Sequence, residues 1–114
     1  MLFLFVDGKE NMAIACAELA ASLGHRAEVA HSSGEALRLA GQTRYDTVFV
    51  GSGLPDIDGR KLCEYIRSAG ALKEACIVAI ADGGNFDATS MDQFDGSVQK
   101  PVTADGLAAI IQRC

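Results

Sequence analysis

The residues with the means to act on another molecule fall in four short stretches. They are Asp7-Gly8-Lys9-Glu10, the run from Gly51 to Gly59, Ala81-Asp82-Gly83-Gly84, and Lys100-Pro101. Carboxylates such as Asp7, Asp56 and Asp58 can hold a hard cation or attack an electrophilic centre. Asp7 by itself offers one carboxylate, whereas magnesium sites use carboxylates together with phosphate oxygens. Ser52 is a neutral hydroxyl with no evident base, so it is expected to bond within its own loop. Gly51, Gly53, Gly83 and Gly84 have the composition of a backbone nest for an anion, with Lys100 as counter-charge. A relaxed loop is the plainer reading of the same glycines, and no GxGxxG or GxxxxGK[ST] run speaks against it. His25 and His31 flank a strand without Cys or Glu at ligand spacing and read as surface residues. Arg38, Arg44 and Arg60 read as solvated, although an arginine beside an exposed Tyr45 or Tyr65 could stack a base.

Those stretches must be carried by a fold, and the chain is sized for one. Its 114 residues match a single domain, 1–114, and 49% of them are hydrophobic, which excludes disorder. Ten Lys and Arg stand against fifteen Asp and Glu, for a net charge of -5. That balance argues against nucleic acid or an anionic membrane surface as partner. No apolar run approaches the roughly 20 residues of a membrane-spanning helix. The apolar start lacks a basic flank and stops at Asp7, unlike a signal peptide. Cys16, Cys63, Cys76 and Cys114 form no CxxC pair, so neither a zinc site nor a redox dithiol is indicated. They read as four small buried or terminal thiols in a reducing, cytoplasmic setting.

The apolar pattern alternates between two periods. Leu2 to Val6, Thr47 to Val50 and Ile77 to Ala81 are continuous apolar runs, the mark of strands covered on both faces. Ala27 to Ala30 is a weaker, alternating strand suited to a sheet edge, and Ser97 to Gln99 is a short one. Between them, Glu10 to Leu23 is helical, with Met12, Ala15, Cys16, Leu19 and Leu23 at helical spacing and Gly24 placed to end it. Ser32 or Ser33 caps a helix through Leu39, with Glu35 in its first turn. Arg60 to Ala69 is helical with Leu62, Cys63 and Ile66 on one side. A short, irregular helix is expected over Phe86 to Gln93. Thr103 caps a last helix in which Leu107, Ile110 and Ile111 face the core. Five β-α units of this kind specify an α/β fold, a parallel five-stranded sheet with helices on both faces. In such sheets the working site lies at the C-terminal strand ends, where the four stretches fall.

Asp46-Thr47-Val48-Phe49-Val50 followed by Leu54-Pro55-Asp56-Ile57-Asp58-Gly59 resembles the third-strand region of response-regulator receiver domains, the CheY-like superfamily. Val6-Asp7 is similar to the start of that family's acidic pair, and Lys100-Pro101 to its Lys-Pro. The four motifs are in register over essentially the whole chain. The resemblance implies a flavodoxin-like (βα)5 sandwich with strand order 2-1-3-4-5. It also implies a chemistry: an aspartate ending the third strand takes a phosphoryl group from phosphohistidine, magnesium assists, and a lysine, a hydroxyl and a switch aromatic respond.

This sequence departs from that pattern at most of the working positions. The phosphoacceptor position is Gly51, the second acidic position is Gly8, the hydroxyl position is Ala81 and the switch aromatic is Ser97. Asp7 and Lys100 remain, so Asp7, Gly8, Gly51, Ala81 and Lys100 make a vestigial pocket with no catalytic or metal role and no cofactor. The reading that follows is a non-enzymatic pseudo-receiver, phosphorylation-incompetent, acting by protein-protein contact within a two-component phosphorelay. A histidine kinase or another domain of a parent chain, such as a hybrid histidine kinase, is the expected partner. Two other readings are a small-ligand sensor, for instance of a cyclic dinucleotide, and a receiver that uses a displaced acceptor, Asp56 or Asp58. In the resembling family, output runs through the helix before the fifth strand, that strand and the last helix. The candidate interaction face is therefore Met91, Gln93, Phe94, Ser97 and Gln99. Met91 and Phe94 are candidate anchors, with Phe94 equally readable as a core plug.

Overall fold

Residues 2–51, 59–68, 76–81, 94–99 and 102–113 are described by the computed structural model, the side chains of 59, 60, 67, 81, 99 and 113 excepted. Their elements follow the two periods of the sequence. The strands are β1 (Leu2–Val6), β2 (Arg26–Ala30), β3 (Thr47–Gly51), β4 (Cys76–Ala81) and β5 (Gly96–Gln99). The helices are α1 (Glu10–Ser22), α2 (Ser33–Gln42), α3 (Gly59–Ser68) and α4 (Ala104–Arg113). All strand pairs are parallel, in the order β2-β1-β3-β4-β5, the order the resemblance implies. The weak, alternating strand is an edge. The helix expected over Phe86 to Gln93 lies outside the described residues.

Side-chain alternation along β1 divides the core into two layers. Leu4 and Val6 join Val48, Val50, Ala36, Ala40, Leu62 and Ile66 on the face covered by α2 and α3. Phe3 and Phe5 join Phe49, Cys16, Ala20, Leu107 and Ile110 on the face covered by α1 and α4. Phe5 and Phe49, register partners on adjacent strands, stack with centroids 4.6 Å apart and planes 13° apart. Leu62, Cys63 and Ile66 are buried as their spacing requires, and so are Leu107, Ile110 and Ile111.

Local signals set the helix ends. Ser32 Oγ accepts from the Glu35 amide at 3.1 Å, and Thr103 Oγ1 from the Gly106 amide at 3.0 Å; both satisfy donors the helix leaves open. α2 runs on past Leu39 to Gln42. Gly24, at φ 87°, turns the chain out of α1. Its amide donates to Ala21 O and the His25 amide to Ala20 O, both at 3.0 Å, the paired bonds of a Schellman ending.

Two aspartates at strand entries fix the register. Asp46 Oδ2 accepts from the Leu2 amide at 2.8 Å, and the Asp46 amide returns a bond to Leu2 O at 2.9 Å. Asp95 does the same with Ile77, at 2.8 and 2.7 Å. The first clasp locks β3 to β1, and the second locks β5 to β4. The C-terminal strand ends are thereby held level, so β1 and β3 stop side by side.

Three expectations need correction. The buried stripe of α1 is Ala13, Cys16 and Ala20, while Ala15 is exposed. Small side chains let this helix lie close to the sheet, whereas Met12, Leu19 and Leu23 sit half-buried at its margin. Tyr45 is not an exposed stacking surface: it is 2% exposed and packs in the core layer of α2 and α3. The cysteines are not all free thiols. Cys16 and Cys63 are free and buried, but Cys76, half-buried at the open end of β4, is disulfide-bonded.

Candidate functional site

The site begins at the adjacent ends of β1 and β3. Val6 pairs with Val50, so Asp7 and Gly51 are the next residues on neighbouring strands. Alternation carries both onto the face of Phe5 and Phe49, one step beyond the stacked rings. Gly51 itself pairs with Ile80 of β4. The pocket floor is thus aromatic and aliphatic, with backbone and one carboxylate above it.

That carboxylate is deeply placed. Asp7 is 2% exposed. Its amide donates to Ala30 O at 3.0 Å, and its Oδ1 accepts from the Lys9 amide at 2.9 Å. The second bond is an Asx-type turn that leads the chain into α1, whose N-cap residue Lys9 provides no side-chain cap of its own. The other oxygen lies over Gly51. A Cβ added at Gly51 would stand 2.5 Å from Asp7 Oδ2, 2.8 Å from Asp7 Cγ and 3.1 Å from Val6 O. Real Cβ atoms do not approach other atoms at the first two distances. Asp7 and Gly51, read separately in the sequence, are therefore one packed unit.

Of the other vestigial-pocket positions, Gly8 is half-buried beside Asp7 and Ala81 ends β4. Lys100 lies outside the described residues, as do Ser52, Gly53, Asp56, Asp58, Gly83 and Gly84. On the candidate interaction face, Ser97 is exposed on β5 and Gln99 closes that strand, while Met91 and Gln93 lie outside the described residues. Phe94 is 8% exposed and joins Ile77 and Ala79 in the core. Of its two readings the structure has the core plug. The reason is position: Phe94 precedes the Asp95 clasp, which turns it under the sheet.

Elsewhere, His25 lies against the Phe3 ring, centroids 4.9 Å apart. His31, one register step beyond Ala30, is half-buried beside the pocket rather than on the surface. Tyr45 Oη donates to Glu28 Oε1 across to β2. Burial, then the hydrogen bond and charge of Glu28, push the Tyr45 phenol up to about 12, against a smaller downward pull from Thr43. Sequence reasoning missed both aspartate clasps, although an Asp immediately before a strand was visible in each case.

A fold of this order, with its site at the strand ends, defines a class, and the comparisons with known proteins name it. The model of the response regulator receiver domain family matches residues 3–112. The chain belongs to that family. It is 31% identical over 114 residues to the sensor histidine kinase AtsR of Burkholderia thailandensis, covering 96% of this chain and 19% of the kinase. It therefore spans about a fifth of that relative's length. A receiver domain from Methylobacillus flagellatus superposes with a TM-score of 0.91 at 28% identity, covering 98% of this chain and 96% of the other. The receiver domain of a Pseudomonas aeruginosa sensor histidine kinase, with magnesium in its active-site cleft, superposes at 0.86 and 22% identity, covering 98% and 94%. The second likeness bears on the fold alone. No helix among the described residues is long and apolar enough to cross a membrane.

Proposed function

We propose that this domain is a phosphorylation-incompetent receiver that works by docking to other domains of a two-component signalling chain. The observation that carries the proposal is the Asp7–Gly51 unit. Phosphoryl transfer to a receiver needs a nucleophilic carboxylate on the third strand. Gly51 has no side chain, and the carboxylate of Asp7 stands 2.5 Å from where its Cβ would be. A magnesium ion needs several oxygen ligands around the phosphoryl group. Gly8 removes one carboxylate from the pair, and Asp7 Oδ1 is engaged by the Lys9 amide. Loss of the hydroxyl position at Ala81 and of the switch aromatic at Ser97 fits a module that has stopped responding to a phosphoryl group.

The kinship with part of a sensor histidine kinase supports a kinase, or a neighbouring domain of the same chain, as partner. The docking face is the one around β5, with Met91, Gln93, Ser97 and Gln99 as its candidate residues. Phe94 serves the core beneath it. Docking is constitutive, because a face without a phosphoryl switch has one state to offer. The experiment is calorimetric binding of the domain to candidate histidine kinase and receiver domains from the same organism, with and without acetyl phosphate and magnesium. Equal affinity in both conditions, weakened by Ser97→Glu or Gln99→Glu, is the expected result. Affinity that changes with phosphodonor, or that survives both substitutions and falls on changes in α1, would reject it.

A further inference from the structure

We propose that Asp7 is a built-in plug: its carboxylate occupies the acceptor side chain's place and closes the pocket from within. The inference rests on the incompetence reading and goes past it, from a missing group to a filled space. By standard bond lengths an aspartate's own carboxylate oxygens lie roughly 2.4 Å from its Cβ. Asp7 Oδ2 lies 2.5 Å from the Cβ position of residue 51. The carboxylate of the first strand thus stands within the space that a side chain at residue 51 would need. Three features hold it there. The Lys9 amide grips Oδ1 at 2.9 Å, the stacked Phe5 and Phe49 rings close the floor, and the side chain is 2% exposed.

Gly51 is then more than a lost nucleophile. It is the only residue type that leaves this Asp7 conformer its room. Any side chain at 51 must displace the Asp7 carboxylate, which strains its bond to the Lys9 amide. An aspartate there would add like-charge repulsion to the steric conflict, so Gly51→Asp alone does not rebuild an acceptor site. The plug holds a fixed negative oxygen where a working receiver alternates between carboxylate and acyl phosphate, which leaves the domain one conformational state.

The test is a double-mutant cycle on thermal stability, with Gly51→Ala placed in four backgrounds: native, Asp7→Asn, Asp7→Ser and Asp7→Ala. Asn keeps the size of Asp7. Ser keeps an acceptor for the Lys9 amide and loses the closest atom, Oδ2, but its Oγ takes the place of Asp7 Cγ, 2.8 Å from the Cβ position of residue 51, so only Ala clears the space. The plug predicts that Gly51→Ala lowers the melting temperature by about 5 °C or more in the native and Asn backgrounds. In the Ser background the drop is smaller, and in the Ala background it is within about 1 °C. If Gly51→Ala fails to fold, the plug predicts that Asp7→Ala restores folding. An equal drop in all four backgrounds overturns the proposal, because non-interacting sites add. So does a Gly51→Ala protein that neither Asp7→Ser nor Asp7→Ala improves. Acetyl phosphate labelling of the native protein is run alongside. Label on the native protein overturns both the plug and the incompetence reading, whereas an additive cycle without label overturns the plug alone.

Discussion

Removing one oxygen, by Tyr45→Phe, tests how the edge strand is tied to the core that carries β3. Tyr45 is 2% exposed, and its hydroxyl reaches out of the core to Glu28 on β2. Phe keeps the packing and removes only that bond. A hydrogen bond to a charged group contributes about 1.5–3 kcal/mol. Glu28 is exposed and regains water when released, so the net loss falls to about 1–2 kcal/mol. For a domain near this size that is a drop of roughly 5–12 °C in melting temperature. The pH dependence gives the sharper check. The phenol's folded value of about 12 lies above the ordinary 10.0. A raised value means the stabilisation is fully present below pH 10 and is lost as pH rises through about 12. Thermal melts of both proteins from pH 7 to 12 should show a constant gap up to about pH 10, then a shrinking one. A gap that stays constant to pH 12, or that is absent at pH 7, would refute the reasoning.

Other perturbations probe the parts that hold the strand ends in place. Asp95→Ala leaves the buried Ile77 amide without its carboxylate acceptor and should cost about 1–3 kcal/mol. Hydrogen exchange at Ile77 should quicken accordingly, and Asp95→Asn should restore most of the protection. Gly24→Ala places a Cβ on a residue at φ 87° and should lower stability by about 1–2 kcal/mol in denaturant melts. Alkylation of the unfolded protein without reductant should modify Cys16 and Cys63, which are free, and spare disulfide-bonded Cys76 until reductant is added.

The architecture was legible because it depends on local pattern. Apolar runs at Leu2 to Val6 and Thr47 to Val50 have the length and β-branched or aromatic content of two-sided strands, and Ser32, Thr103 and Gly24 carry their capping chemistry in their own side chains or backbone. Strand order came from the receiver resemblance rather than from periodicity. What escaped the sequence depends on distant partners. Alanine is too common on α1 for its type to mark the buried side, so Ala13 and Ala20 were overlooked while exposed Ala15 was chosen. Tyr45 looked accessible beside Arg44 and Asp46, yet its ring turns inward and only its hydroxyl meets polar surroundings. Gly8, Gly51 and Ala81, which the receiver resemblance reads as departures from the family pattern, were each visible in the sequence. That Asp7 Oδ2 stands 2.5 Å from where a Cβ at residue 51 would be was not, because a filled space has no signature in residue types.

Phosphoryl uptake by the unaltered domain bears most directly on the central claim. The protein is incubated with labelled acetyl phosphate and magnesium, and the acid-quenched sample is read by intact mass and by retained label. The account predicts an unchanged mass and no label, with a receiver that keeps its third-strand aspartate labelled in parallel. Acid-resistant, alkali-labile label at one phosphoryl group per chain would contradict it.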